Sequence, residues 1–160
     1  MNRLWFLLIP VLLCACSSID CPVNNVVETT YVTYDSEGNE LVLSGDTLAV
    51  LSFRSDGQDT LLLNRQTGSS TFHLPISYSH PEDVLFFCFY NDSIFVVDTV
   101  WVKKDDYPHF ESVDCSAVFF HTLTGVRYTT HAIDSIVINN PTVDYDNTTV
   151  HFRYYPKSGL

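Results

Sequence analysis

The chain has 160 residues, a formal net charge of −11, 46% hydrophobic and 14% aromatic residues. That acidity argues against nucleic acid or an anionic lipid surface as a partner. The apolar content argues against a disordered stalk, and the length suits a short leader followed by one domain.

The N-terminus comes first. Arg3 supplies a positive charge, residues 4–13 form an unbroken apolar run, and Leu13-Cys14-Ala15-Cys16 closes it. A basic start, a short apolar stretch and a small-residue cleavage site describe a secretory signal peptide over residues 1–15. Ten apolar residues fall short of the roughly 20 needed to span a bilayer. The last four residues resemble the lipobox of bacterial lipoproteins, with Leu13 at the aliphatic position, Ala15 before the cut and Cys16 as acceptor. The resemblance implies cleavage before Cys16, fatty acylation of its sulfur and of the new N-terminus, and retention at a membrane, since each buried methylene adds about 0.8 kcal/mol. The processed chain carries seven basic and 19 acidic residues, a formal charge of −12.

Residues 16–24 then read as a lipidated tether and 25–160 as the folded domain. No stretch sustains helical periodicity. Short apolar, β-branched runs alternate with turn signals, the pattern of an all-β sandwich or barrel. Strands are expected over residues 25–34, resuming at 40–44 after a turn, and over 47–54 and 59–64, the last two joined by Asp56-Gly57, a hairpin signal. Residues 71–78 alternate, and Pro75 within them indicates a sheet edge or bulge. Residues 84–90 and 93–103 are the most apolar strands, joined at Asn91-Asp92. Their near-continuous apolarity predicts a central hairpin covered on both faces. Residues 109–130 are ambiguous. Residues 132–139 read as a strand with Ile136 and Ile138 on one face, 143–147 as a loop, and 148–155 as the closing strand. The sum is about eight mostly antiparallel strands: a single immunoglobulin-like β-sandwich, with a small closed β-barrel as the alternative.

Three cysteines remain beyond the lipobox. Cys88 sits in an apolar strand as a small hydrophobe. Cys21 and Cys115 share a local frame, Ile19-Asp20-Cys21 and Val113-Asp114-Cys115, in loop-like surroundings. A Cys21–Cys115 disulfide is expected in an oxidising compartment, three reduced thiols being the alternative.

Residues 16–22, 74–78 with 81–83, 109–115 and 131–141 together resemble an uncharacterised family of small lipoproteins from Gram-negative gut bacteria, a domain of unknown function. The likeness spans nearly the whole processed chain. It implies a lipoprotein with one domain and brings no activity or catalytic residue. Bacteria of that group O-glycosylate exported proteins at Asp, then Ser or Thr, then an aliphatic residue. Asp46-Thr47-Leu48, Asp59-Thr60-Leu61, Asp92-Ser93-Ile94, Asp98-Thr99-Val100 and Asp134-Ser135-Ile136 resemble that pattern. Thr60 and Ser93, beside predicted turns, are the candidate acceptors. A turn followed by a strand writes the same residues.

Chemistry is sparse. The six histidines show no sequence-local zinc spacing; His109, His121 and His131 are the best trio for a site assembled in space. No Gly-x-Ser-x-Gly elbow and no Gly-rich phosphate loop occur. Cys88 sits among phenylalanines, where a thiolate is disfavoured. Asp144-Tyr145-Asp146-Asn147 has oxygen ligands suited to calcium but lacks the Gly and distal Glu of an EF-hand loop, and reads as a turn. Tyr107, Phe110, Tyr128, Tyr154 and Tyr155 could form an exposed aromatic platform or cap the core. The expectation is a non-enzymatic protein without cofactor, acylated at Cys16 and held at the outer membrane. The periplasmic face is favoured over the cell surface because Ser17-Ser18-Ile19-Asp20 is not densely acidic. It would act as an interaction or structural module for another envelope protein, with glycan or metal binding as the alternative.

Overall fold

The computed structural model describes residues 21, 26–43, 47–53, 57–90 and 94–158. Cys16, the Asn91-Asp92 turn and Ser93 lie outside the described residues. The strands are β1 (Glu28–Thr33), β2 (Thr47–Phe53), β3 (Asp59–Gln66), β4 (Thr71–Pro75) and β5 (Glu82–Tyr90). They continue with β6 (Phe95–His109), β7 (Val118–Tyr128), β8 (Ile133–Ile138), β9 (Thr142–Val143) and β10 (Phe152–Pro156).

They form two sheets, one of order β4-β1-β10-β8 and one of order β3-β2-β5-β6-β7-β9. This is the expected all-β sandwich. The two layers enclose one core, with Tyr31, Phe72, Phe152 and Tyr154 from the smaller sheet against Leu48, Val50, Phe87 and Val100 from the larger. Tyr31 lies at its centre, its ring stacked 4.6 Å from Phe152 and 5.0 Å from Phe72. Pairing is antiparallel except between β1 and β10, which run parallel with Tyr31 opposite Phe152. No local turn joins these two, so nothing near either strand announces the pair.

The edges are blunted in different ways. Pro75 ends β4 at the margin of the smaller sheet, as its position in the sequence indicates. Strand β3, at the margin of the larger one, shifts register twice against β2, and Arg65 there has φ of 45°. Such bulges bend and twist a strand out of reach of edge pairing.

Several expectations are corrected. Ten described strands replace about eight. Residues 109–130 contain β7, whose alternation is hidden by a bulge: Lys103 faces Gly125 while Lys104 faces Leu123, leaving Thr124 as the extra residue. Likewise Ile133 and Ile136 are both buried in β8, with Ile138 half-buried, because a register shift against β10 makes Asp134 the extra residue. Residues 143–147 are not wholly loop, since Thr142–Val143 pairs with β7. The β5–β6 hairpin is central, as its apolarity predicts, but it is not covered on both faces. Leu85, Phe87, Phe89, Val100 and Val102 face the core. The alternate residues face outward, where no described strand packs on them, although Cys88 is shielded by neighbouring side chains.

The chain passes from the larger sheet to the smaller at residues 129–132, and this crossover is tied to Asp98 on β6. Asp98 is fully buried. Its carboxylate accepts hydrogen bonds from Thr129 Oγ1 (2.6 Å), His131 N (2.8 Å), His131 Nδ1 (2.9 Å), Ala132 N (2.6 Å) and Ile133 N (2.9 Å). Burial alone would raise its pKa; the donors outweigh burial and hold it below the usual carboxylate value. Replacing Asp98 by Ala strands three backbone N–H groups in a closed site. A loss of about 3–5 kcal/mol is expected from the cost of breaking a buried charged network. Urea unfolding of Asp98→Ala against wild type measures it, and Asp98→Asn, which keeps one acceptor oxygen, falls between the two.

Candidate functional site

The outward face of the larger sheet follows from strand parity. Leu61, Leu51, Phe86 and Thr99 form one cross-strand row. Ala49, Cys88 and Val97 form the next, and Tyr90 faces Phe95 beyond them. On the other side Val84, Trp101 and Arg127 line up. The result is an apolar and aromatic face whose middle row, Ala49 and Cys88, is buried among its neighbours, with exposed side chains on either side of it. Leu61 is 51% exposed, Phe53 56% and Phe95 60%. Rings on it touch: Phe53 meets Phe86 edge-on at 4.8 Å, and Phe95 stacks on Tyr90 at 4.8 Å. Monomeric soluble domains seldom leave contiguous apolar surface of this kind open, and where they do it is commonly a binding face.

The charges around this surface are mixed, with three cations beside Glu82 and Asp59. Arg65 lies over the Tyr90 ring, and Arg127 lies over Trp101 at 4.1 Å while its Nη2 donates to Glu82 at 2.8 Å. Lys103 is the exposed residue that follows on the same face of β6. Three of the seven basic residues of the processed chain thus border one apolar face.

Beside this face, where the smaller sheet stops at Pro75, a groove of about 570 Å³ opens between β2–β3 and the β4–β5 connection. Phe53, Leu62 and Ile76 supply its apolar wall; Ser52, Thr60, His80, Glu82 and Asp83 supply polar groups. Asp83 is already engaged, accepting from the backbone N–H of Ser77 at 3.1 Å and from its hydroxyl. Thr60, one candidate glycan acceptor, is half-buried on this wall.

The histidine trio does not converge. His109 pairs with Glu111 at 3.3 Å and stacks on Phe120 at 4.3 Å. His131 is bound to Asp98. His121 is buried, its Nδ1 2.6 Å from Asp106 Oδ1. Among the described residues no three His, Cys, Asp or Glu side chains are grouped to hold a metal ion. Asp106 also receives Lys104 Nζ at 3.2 Å, and that ammonium donates to His80 O at 2.6 Å. Lys104, Asp106 and His121 therefore form a closed charged cluster whose donors and acceptors satisfy one another. The acidic 144–147 loop is similarly self-satisfied. Asp144 accepts from Asp146 N, and Asp146 accepts from Thr148 and Thr149, which lowers its pKa to about 2. Hydrogen-bonded to their own loop, these carboxylates act as a turn.

The aromatics chosen from sequence divide. Tyr107 and Phe110 are exposed, Tyr128 and Tyr155 half-buried, and Tyr154 belongs to the core. The larger set on the outward face, Phe53, Phe86, Tyr90, Phe95 and Trp101, goes unnoticed in the sequence because each belongs to an unremarkable strand. Parity carries the missing signal. Cys21 and Cys115 are disulfide-bonded with Cα atoms 5.6 Å apart, and Cys88 is a buried free thiol whose pKa burial raises. Cys88 lies on the outward face, shielded by neighbours, rather than in the shared core.

One histidine with no role in the sequence reading is a structural clasp. His151 is fully buried; its Nδ1 accepts from Thr30 N at 2.9 Å, and its Nε2 donates to Thr142 O at 3.0 Å. Accepting at Nδ1 requires the neutral ring, whereas the Nε2 bond survives protonation; burial holds the pKa below the ordinary 6.5. The unfolded chain therefore binds a proton near pH 6.5 that the folded chain refuses. The stability from this clasp is complete above that value and declines as pH falls toward the lower folded one. His151→Gln retains one acceptor and one donor. Urea midpoints followed from about pH 7.5 to 5.5 should fall more steeply for wild type than for this variant.

A family model described as a family of unknown function (DUF6452) matches residues 47–156, and the chain belongs to that family. No curated protein and no solved structure matches it.

Proposed function

We propose that this member of a family without assigned activity is a lipid-anchored envelope protein that binds a partner protein through the outward face of its six-stranded sheet. In this reading Cys16 is acylated after removal of residues 1–15, and the acidic sandwich stands at the outer membrane, facing the periplasm. The carrying observation is the exposed surface around Phe53, Leu61, Phe86 and Phe95, bordered by Arg65, Lys103 and Arg127. Aromatic residues and arginine are the types enriched in interface cores. The matching partner surface is apolar with an acidic rim.

A second reading is supported by the groove beside Phe53, where one aromatic ring stands on an apolar wall near several polar groups, a composition that can take a sugar. Thr60 and Ser93 are proposed as glycan acceptors, and the intact mass of protein from its native host reads their occupancy.

The interaction is tested with a photo-crosslinking residue in place of Phe95 or Val137, expressed in the native host. Val137 is a half-exposed control on the smaller sheet. The Phe95 probe is expected to capture one discrete envelope protein that the Val137 probe does not. Recovery of uncrosslinked monomer from both would overturn the reading, and a glycan adduct at Phe95 would favour the second one.

A further inference from the structure

The β6–β7 hairpin ends in a loop, residues 110–117, that carries the disulfide partner of the tether. Around that disulfide the loop turns apolar side chains to solvent. Val113 is 97% exposed and Phe110 is 61% exposed, while Tyr107, just before the tip, is 51% exposed. Nothing in the loop rewards this exposure. Ser112 and Asp114 could have occupied these positions as readily, and a loop tip is ordinarily polar.

The covalent path gives the reason. From Cys16 to Cys21 the chain advances five residues, which span at most about 18 Å when fully extended. Cys21 is bonded to Cys115 with 5.6 Å between their Cα atoms, so acyl chains on Cys16 hold the tip within about 24 Å of the bilayer. Strand β6 has 15 residues and so is about 45–50 Å long. The tether cannot reach past the tip half of the hairpin. With the sandwich standing upright, residues near Phe95 lie far outside its range.

We infer that the tip of the β6–β7 hairpin docks on the lipid surface, with Phe110 and Val113 inserted into the headgroup–acyl boundary and Tyr107 at the headgroup level. This rests on the acylation of Cys16 proposed above. The occupant is a zwitterionic surface rather than an anionic one. The tip's exposed charged residues are Glu111 and Asp114, and His109 is already paired with Glu111. Phe and Tyr are residue types that settle at this depth, about 5–10 Å into the interface. Docking fixes the tilt of the domain and keeps the outward sheet face clear of lipid for a protein partner.

The test uses the full chain, processed in a lipoprotein-competent host and reconstituted into phosphatidylcholine vesicles containing brominated lipid. Incorporation of labelled fatty acid is scored first. Trp101 is the sole tryptophan after residue 16 and lies on the outward face, about 25 Å along β6 from its tip end. It serves as the counter-probe. A Phe110→Trp, Trp101→Phe double variant is expected to lose most of its emission to the bromines, while Trp101 in the wild type keeps its own. If Trp101→Phe weakens folding, Phe110→Trp alone gives the same reading by the difference from wild type. Acylated protein with no quenching at position 110, or with equal quenching at 101, overturns the docked tip and leaves the anchor intact. Absence of label overturns the anchor itself.

Discussion

The two-sheet arrangement depends on a carboxylate in an unusual place. Asp98 stands on the core-facing side of β6, between Val96 and Val100, where parity demands an apolar side chain. It is tolerated because its two oxygens take five donors from residues 129–133. Those residues are the path by which the chain leaves one sheet and enters the other, and the N–H groups of His131, Ala132 and Ile133 donate to this carboxylate rather than to a neighbouring strand. An anion answers them better than a neutral acceptor would, since charge-assisted bonds are roughly twice as strong. Oδ1 takes Thr129 and His131 and Oδ2 takes Ala132 and Ile133, so one side chain ties both ends of the crossover to β6.

With the crossover held, the larger sheet divides into two apolar faces with different fates. The core face meets Tyr31, Phe72, Phe152 and Tyr154 across the sandwich. The outward face carries comparable residues and meets no described part of the chain. An open apolar face risks aggregation, and the structure counters it locally. Strand β3 is bulged twice, β9 is two residues long, and cations lie over Tyr90 and Trp101. These features blunt edge pairing and lend some solubility while leaving Phe53, Leu61 and Phe95 exposed. Within the β6–β7 hairpin, the Lys104–Asp106–His121 cluster shows the opposite strategy, in which buried charge is paired internally.

Much of this was legible from residue order. Asp56-Gly57 marked the β2–β3 hairpin, Pro75 marked an edge, and the apolar run from 84 to 103 marked the centre of a sheet. Bulges hid the rest. An extra residue at Thr124 reverses the alternation halfway along β7, and one at Asp134 makes Ile133 and Ile136 face the same way, so a period of two could not be followed through either strand. The β1–β10 pair and the His151 clasp join residues about 120 positions apart, and no local pattern records such a meeting. Asp98 did leave a trace. A charged residue in phase with core positions of an apolar strand is a signal of a buried acceptor, although Asp98-Thr99-Val100 also fits the glycosylation pattern. Of the proposed site, the aromatic residues were visible one by one; their assembly became apparent only when registry placed Leu61, Leu51 and Phe86 side by side.

The amides bonded to Asp98 report on this arrangement directly. Hydrogen exchange at His131, Ala132 and Ile133, measured at neutral pH, should proceed only through global unfolding and so fall in the slowest class, although all three precede or begin a strand. Exchange at rates typical of the 111–116 loop would mean that the crossover opens on its own, and that Asp98 does not hold the two sheets together.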